Sequence, residues 1–173
     1  MHRLDKDSTI YNFTLIKRVR HRPLPLLLYG VLPLPFAIYM AVSVSPSLAV
    51  SFVGGLLLLP NLYSGLTALY MKLLASGQRS AWSYGWRLPW LGLLPAQHVS
   101  LRIVTGIHNQ LLWIGSAIIV CLFPWIGKDH VLMLLALHIW YMLPRFWIFF
   151  VLRRAKKPGL LKIGAGDTSY YIQ

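Results

Sequence analysis

The sequence predicts an all-α integral membrane protein. It should have four transmembrane helices, both termini in the cytoplasm, and a Trp-rich interfacial segment between helices 2 and 3. Three observations predict this. The 173-residue chain is 57% apolar. Only 12% of its residues are charged, against roughly 25% in a soluble domain. Lys and Arg number 17 against 4 Asp and Glu, and they cluster between long uncharged stretches. A soluble domain of this size could not hide so much apolar surface in one core.

The elements follow in order. Residues 1–22 form a polar, basic segment holding Arg3, Lys6, Lys17, Arg18, Arg20 and Arg22. From Pro23 to Met71 no charged residue occurs. One crossing needs about 20 residues, so this stretch holds two. Ser43, Ser45, Pro46 and Ser47 supply turn chemistry between them, giving crossings at 24–44 and 47–72.

Residues 73–102 contain Arg79, Arg87 and Arg102, with Gly77, Gly85, Pro89 and Pro95 as breakers. Trp82, Trp86 and Trp90 recur every fourth residue, which suits one side of a helix. Gly85 and Pro89 weaken that helix, so a bent segment in the interface is expected. Tryptophan favours that depth because its ring is apolar and its N–H seeks a partner. A re-entrant stretch at 88–101 is the alternative. A third crossing at 103–125 and a fourth at 131–152 flank the turn Lys128–Asp129–His130. The fourth contains Arg145. The tail, 153–173, opens with Arg153, Arg154, Lys156 and Lys157. The domain organisation is therefore 1–22, 23–152 and 153–173.

Basic residues crowd the N-terminal segment, the 73–102 loop and the tail, while Lys128 stands alone on the other side. That asymmetry places both termini in the cytoplasm. The expected location is a cell membrane crossed several times, of the bacterial cytoplasmic kind. Lys17–Val44 also has features of a secretory signal, with Ser47 and Ala49 near a cleavage position, but its apolar part is longer than a signal core. Cys121 is the sole cysteine. It excludes an intramolecular disulfide or a Cys-based zinc site and is expected as a small buried hydrophobe.

Several chemistries are excluded. The sequence has no Walker A loop, GxGxxG, HExxH or GxSxG. Asp5, Asp7, Asp129 and Asp167 are its only acids, and all lie outside the crossings. A carboxylate-based proton or sodium carrier, a two-aspartate protease and Mg-dependent phosphotransfer are disfavoured accordingly. The basic residues flank crossings instead of lining a groove, so no nucleic-acid partner is expected. Of six histidines, only His108 and His138 lie well inside crossings. They enter from opposite sides and differ in depth by roughly 10 Å, which suits no shared haem. No cofactor or metal is expected, and each ring should bond a neighbouring helix.

Depth counting brings one polar layer together. Tyr29, Asn61, His108, Asn109 and Arg145 all fall roughly 10 Å above the cytoplasmic boundary. Pro60 and Pro144 precede two of them, and each proline frees a carbonyl one turn earlier. This layer is a candidate ligand site in which Arg145 attracts a phosphate or carboxylate. The competing account has Arg145 snorkelling to the headgroups and Asn61 bonding across helices. Ser51 and Gly55 have small-xxx-small spacing, which permits close helix approach.

Three function classes remain. The first is a non-catalytic subunit of a larger membrane complex. The second is an oligomeric carrier or export component with an anion-attracting pocket. The third is an enzyme acting on a lipid or other amphiphile, with His108 as acid or base. The partners expected are the bilayer and its anionic lipids, together with a membrane-protein partner or further copies of this chain.

Overall fold

The apolar runs fold into four helices long and apolar enough to cross a membrane, at Pro23–Val44, Pro46–Leu73, Leu101–Cys121 and Phe123–Arg153. The computed structural model describes residues 13–74, 82–155, 158–164 and 166–172. Expectations placed on Arg3, Asp5, Lys6, Asp7, Gly77, Arg79, Lys156 and Lys157 lie outside the described residues. So do the side chains of Trp86 and Arg87. The chain is mostly helical, but it is not all-α, because it also forms two small antiparallel sheets, one of four strands and one of two.

The first crossing is built from α1 (Pro23–Val31) and α2 (Pro33–Tyr39), then a π-helical turn at Met40–Val44. Pro33 opens α2 because a proline at the first helical position loses no bond the helix would have made. Ser45 is extended, and its carbonyl accepts from Ala49 N at 3.2 Å to start α3 (Pro46–Leu74). Pro60 sits inside α3 without ending it. After α4 (Leu101–Cys121), Leu122 alone leads into α5 (Phe123–Arg153). Gly127 interrupts α5 with φ 77°, a backbone that only glycine adopts at no steric cost. Its main run therefore starts beside Lys128. Cys121, expected to be buried, is exposed at the far end of α4.

Helices α3, α4 and α5 pack together around Phe52, Leu59, Ile107, Leu111, Leu137 and Phe149. Gly55 faces α5, where a methyl group would come within 2.7 Å of Leu134 Cδ2. The small-residue spacing thus serves contact within this chain. The first crossing stands apart, with little of its surface buried. Its long exposed apolar side chains, Leu27, Ile38 and Val42 among them, suit hydrocarbon as solvent.

Both ends of the described chain enter one sheet. β1 (Thr14–Arg20), β6 (Asp167–Ile172), β5 (Leu160–Ile163) and β4 (Val99–Ser100) lie in that order, all antiparallel. The basic N-terminal segment and the tail are therefore paired strands over these residues. A bulge between Leu15 and Lys17 shifts the β1 register. Lys17 Nζ reaches back to the Val151 carbonyl near the end of α5 at 3.1 Å. Arg18 and Asp167 form an ion pair at 2.8 Å.

The segment expected as a bent interfacial helix is instead a β-hairpin. β2 (Trp82–Arg87) pairs with β3 (Trp90–Pro95) across a two-residue turn at Leu88–Pro89. The hairpin is wedged among the helices. A methyl on Gly30 of α1 would come within 2.7 Å of Leu88 Cδ1. Gly92, at φ 112°, lies so close to α3 that a methyl would meet Ser64 Oγ at 2.8 Å and the Pro60 carbonyl at 3.6 Å. Pro60 is midway along α3, so the turn enters the apolar part of the bundle. Strand backbone at that depth is tolerated only where protein or water supplies hydrogen-bond partners.

Candidate functional site

The polar side chains of the bundle are built around released carbonyls. Pro60 has no N–H, so the carbonyl of Leu56 lacks its helical donor. The Tyr141 hydroxyl of α5 donates to it at 2.8 Å. Pro144 does the same to the carbonyl of Trp140, and the Tyr29 hydroxyl of α1 donates there. The Tyr29 ring also stacks on the Trp140 ring, with centroids 4.4 Å apart. Each carbonyl that a proline leaves without its helical donor is thus tied to a different helix through a tyrosine.

Arg145 treats the hairpin in the same way. Its Nε donates to the Pro89 carbonyl at 3.0 Å and its Nη2 to the Leu91 carbonyl at 2.6 Å. The guanidinium is 2% exposed, and its carbon lies 5.8 Å from the Tyr63 ring centroid. Arginine suits this position because its planar fork reaches two acceptors at once and stays charged.

His138 completes the layer. Its Nε2 lies 3.0 Å from the Leu112 carbonyl of α4, and its Nδ1 lies 2.6 Å from the Tyr63 hydroxyl of α3. A carbonyl can only accept, so Nε2 carries a proton and donates to it, and in that tautomer Nδ1 accepts a hydrogen bond from the Tyr63 hydroxyl. This one ring bridges α3, α4 and α5. Gly115 makes room for it, since a methyl there would stand 2.6 Å from His138 Cε1.

The predicted layer is divided by this geometry. Arg145, Tyr29 and His108 share one neighbourhood, with Tyr63 and Tyr141 beside them. Asn61 and Asn109 are exposed and face away. The Asn61 amide donates to Leu57 of its own helix at 2.8 Å. His108 is buried and donates from Nδ1 to Val104 of its own helix at 2.8 Å. It packs edge-on against Trp90 and Phe149. Among the described residues no group of three His, Cys, Asp or Glu side chains converges as a metal site would.

Sequence reasoning missed Tyr63, Tyr141, Thr168 and His21; it expected His108 and His138 each to bond a neighbouring helix, which His138 does and His108, bonded within α4, does not. Counting back four residues from Pro60 and Pro144 names the two carbonyls that need donors, and tyrosine is a natural donor at that depth. Trp90 Nε1 donates to Thr168 Oγ1 at 3.0 Å, joining the hairpin to β6. His21 Nε2 lies 2.9 Å from the same oxygen. Burial holds the His21 ring below its usual 6.5, while Asp167 pulls it the other way. His98 is also held below 6.5, by burial and then by Lys162. Burial pushes the Tyr170 hydroxyl upward.

A second feature lies toward the end of the bundle away from the sheets. A cleft of about 600 Å3 separates the first crossing from α3 and α5. Leu32, Phe36, Met40, Phe52, Met133 and Trp140 line it, with Ala136 on its floor. Beyond it, Ser47 Oγ and His130 Nε2 meet at 3.1 Å across the start of α3 and α5.

The fold and site together define a four-helix, membrane-type bundle with a hairpin wedged among its helices. No protein-family model matches this chain, and neither a curated protein nor a solved structure matches it.

Proposed function

We propose that this chain is a non-catalytic, multi-pass subunit of a larger assembly in a cell membrane of the bacterial cytoplasmic kind. The observation that carries the reading is Arg145, the one cation deep in the bundle among the described residues. Its guanidinium is spent on the Pro89 and Leu91 carbonyls of the hairpin. Tyr29, Tyr141 and both nitrogens of His138 are likewise engaged in holding helices together. A layer organised this way fixes shape.

The sheet end faces the cytoplasm in this reading. It carries Lys17, Arg18, Arg20, Arg22, Lys72, Arg102, Arg153, Arg154 and Lys162, whereas Lys128 lies at the other end. Basic residues on the cytoplasmic side are the general rule, and they attract anionic headgroups there by about 1 kcal/mol each. Among the described residues the outer edge of β1 is unpaired, and Leu15 and Ile16 on it are exposed. An open edge of this kind accepts an added strand from a protein partner.

Native mass spectrometry on protein released gently from its own membrane tests the reading. A heterologous partner at fixed stoichiometry supports it. A lone chain or a homo-oligomer overturns it. A second reading, an oligomeric carrier of amphiphiles, is favoured by the cleft beside the first crossing.

A further inference from the structure

The geometry points to the cleft between the first crossing and α3/α5 as a binding site for one acyl chain of a bilayer phospholipid, in the leaflet away from the sheets. This does not depend on the subunit reading. The cleft's volume, about 600 Å3, falls within the roughly 300–1,000 Å3 of small-molecule sites. Its walls are apolar side chains on three helices long and apolar enough to cross a membrane. A space open sideways at that depth meets hydrocarbon, and an apolar pocket gains nothing from water.

Its length selects the occupant. Trp140 lines the cleft at one end and its ring is stacked with that of Tyr29, whose hydroxyl is already bonded to the main chain. Met40, Phe52 and Met133 line it toward the other end, and His130, three residues before Met133 on α5, meets Ser47 at 3.1 Å. From Trp140 up to His130 along α5 is about 15 Å at 1.5 Å per residue. That equals about half of a 30 Å hydrocarbon core, the length of chain one leaflet supplies. The chain's end rests on the Trp140–Tyr29 stack, and its headgroup lies level with Ser47 and His130. Phe36, braced edge-on by Phe52 at 5.2 Å, forms the outer wall.

Chain-brominated phosphatidylcholine, titrated into the full-length protein in detergent, tests this through tryptophan quenching. The Trp140 component is read as the difference between wild type and Trp140→Phe. The expected result is quenching of that component that saturates at one lipid per chain. Ala136→Phe fills the floor and should weaken binding by about tenfold, as when a couple of chain methylenes are kept out. Phe36→Ala opens the wall at an exposed position, so it should fold and also weaken binding. Quenching that rises without saturating, or that is equal in wild type and both variants, overturns the proposal. So does a dimer that Ala136→Phe abolishes while no lipid binds, because the cleft then holds a helix of a second copy.

Discussion

The hydroxyl of Tyr29 donates to the main-chain oxygen of Trp140, the carbonyl that Pro144 leaves without a helical partner. Tyr141 stands in the same relation to Leu56 and Pro60, at 2.8 Å. If each tyrosine serves its proline, the two should be coupled. Tyr141→Phe should cost about 0.6–1.7 kcal/mol, the range for a hydrogen bond between membrane helices. In a Pro60→Ala background residue 60 regains its N–H, and the same change should cost almost nothing. A double-mutant cycle on unfolding in detergent measures the difference. Equal costs in both backgrounds would remove the account of the tyrosines as donors to the proline-freed carbonyls.

Arg145 should behave as a clamp on the hairpin. Lysine keeps the charge but offers a point donor in place of a fork, so Arg145→Lys should lose one of two carbonyls and about 1–2 kcal/mol. Arg145→Met fills similar space and leaves both acceptors bare, at a cost of about 2–3 kcal/mol. The loss should be local. Limited proteolysis between Trp82 and Pro95 should accelerate in both variants, more in Met than in Lys. An unaltered digestion pattern would show that the hairpin is held by something else.

The helices were legible because the chain marks their ends with charge, or at Ser43–Ser47 with turn residues, and every crossing read from that pattern overlaps an observed helix. The strands were not. A spacing of four is close to a helix turn and is also a multiple of the strand period, so Trp82, Trp86 and Trp90 suit either. The two-residue turn at Leu88–Pro89 was the signal that decides. β1 hides for a different reason, since the bulge at Leu15–Lys17 breaks its alternation and its partner strand lies at the other end of the sequence. Depth counting assigns a height along each helix but no direction around it. Asn61 and Tyr63 are two residues apart, about 200° around the helix, so one faces out when the other faces in. The same separation hid Tyr63 behind the asparagine.

Gly115 should be intolerant of any side chain. Its methyl would press on the His138 ring at Cε1, Nε2 and Nδ1 together, and the ring is pinned on both sides by its bonds to Tyr63 and Leu112. Gly115→Ala should therefore destabilise by about 1–3 kcal/mol, through overpacking. Gly106→Ala on the same helix provides the control, because nothing lies within 4 Å of its would-be methyl. There the helical preference for alanine should give up to about 1 kcal/mol of added stability. Thermal unfolding of the two variants side by side checks the opposite signs.

The sheet should weaken in mild acid. The Thr168 hydroxyl accepts from Trp90 Nε1, which can only donate, and its own proton remains to be given to His21 Nε2 when that nitrogen is unprotonated. That arrangement needs an unprotonated Nε2. Burial acts in the same direction, holding His21 below 6.5 against the opposing pull of Asp167. His98 is depressed as well, by burial and Lys162. Between each depressed value and 6.5 the unfolded chain binds more protons than the folded one, so stability rises with pH through that window. It should be level above about pH 7.5 and fall steadily toward about pH 5. His21→Gln keeps a donor and an acceptor without titrating, and should flatten part of that slope. His21→Gln with His98→Gln should flatten more. Amide exchange in β1 and β6, followed from pH 7.5 to 5, is the measurement. If exchange in those strands, corrected for its intrinsic rate, is as pH-dependent in the double variant as in wild type, His21 and His98 are not what the sheet responds to.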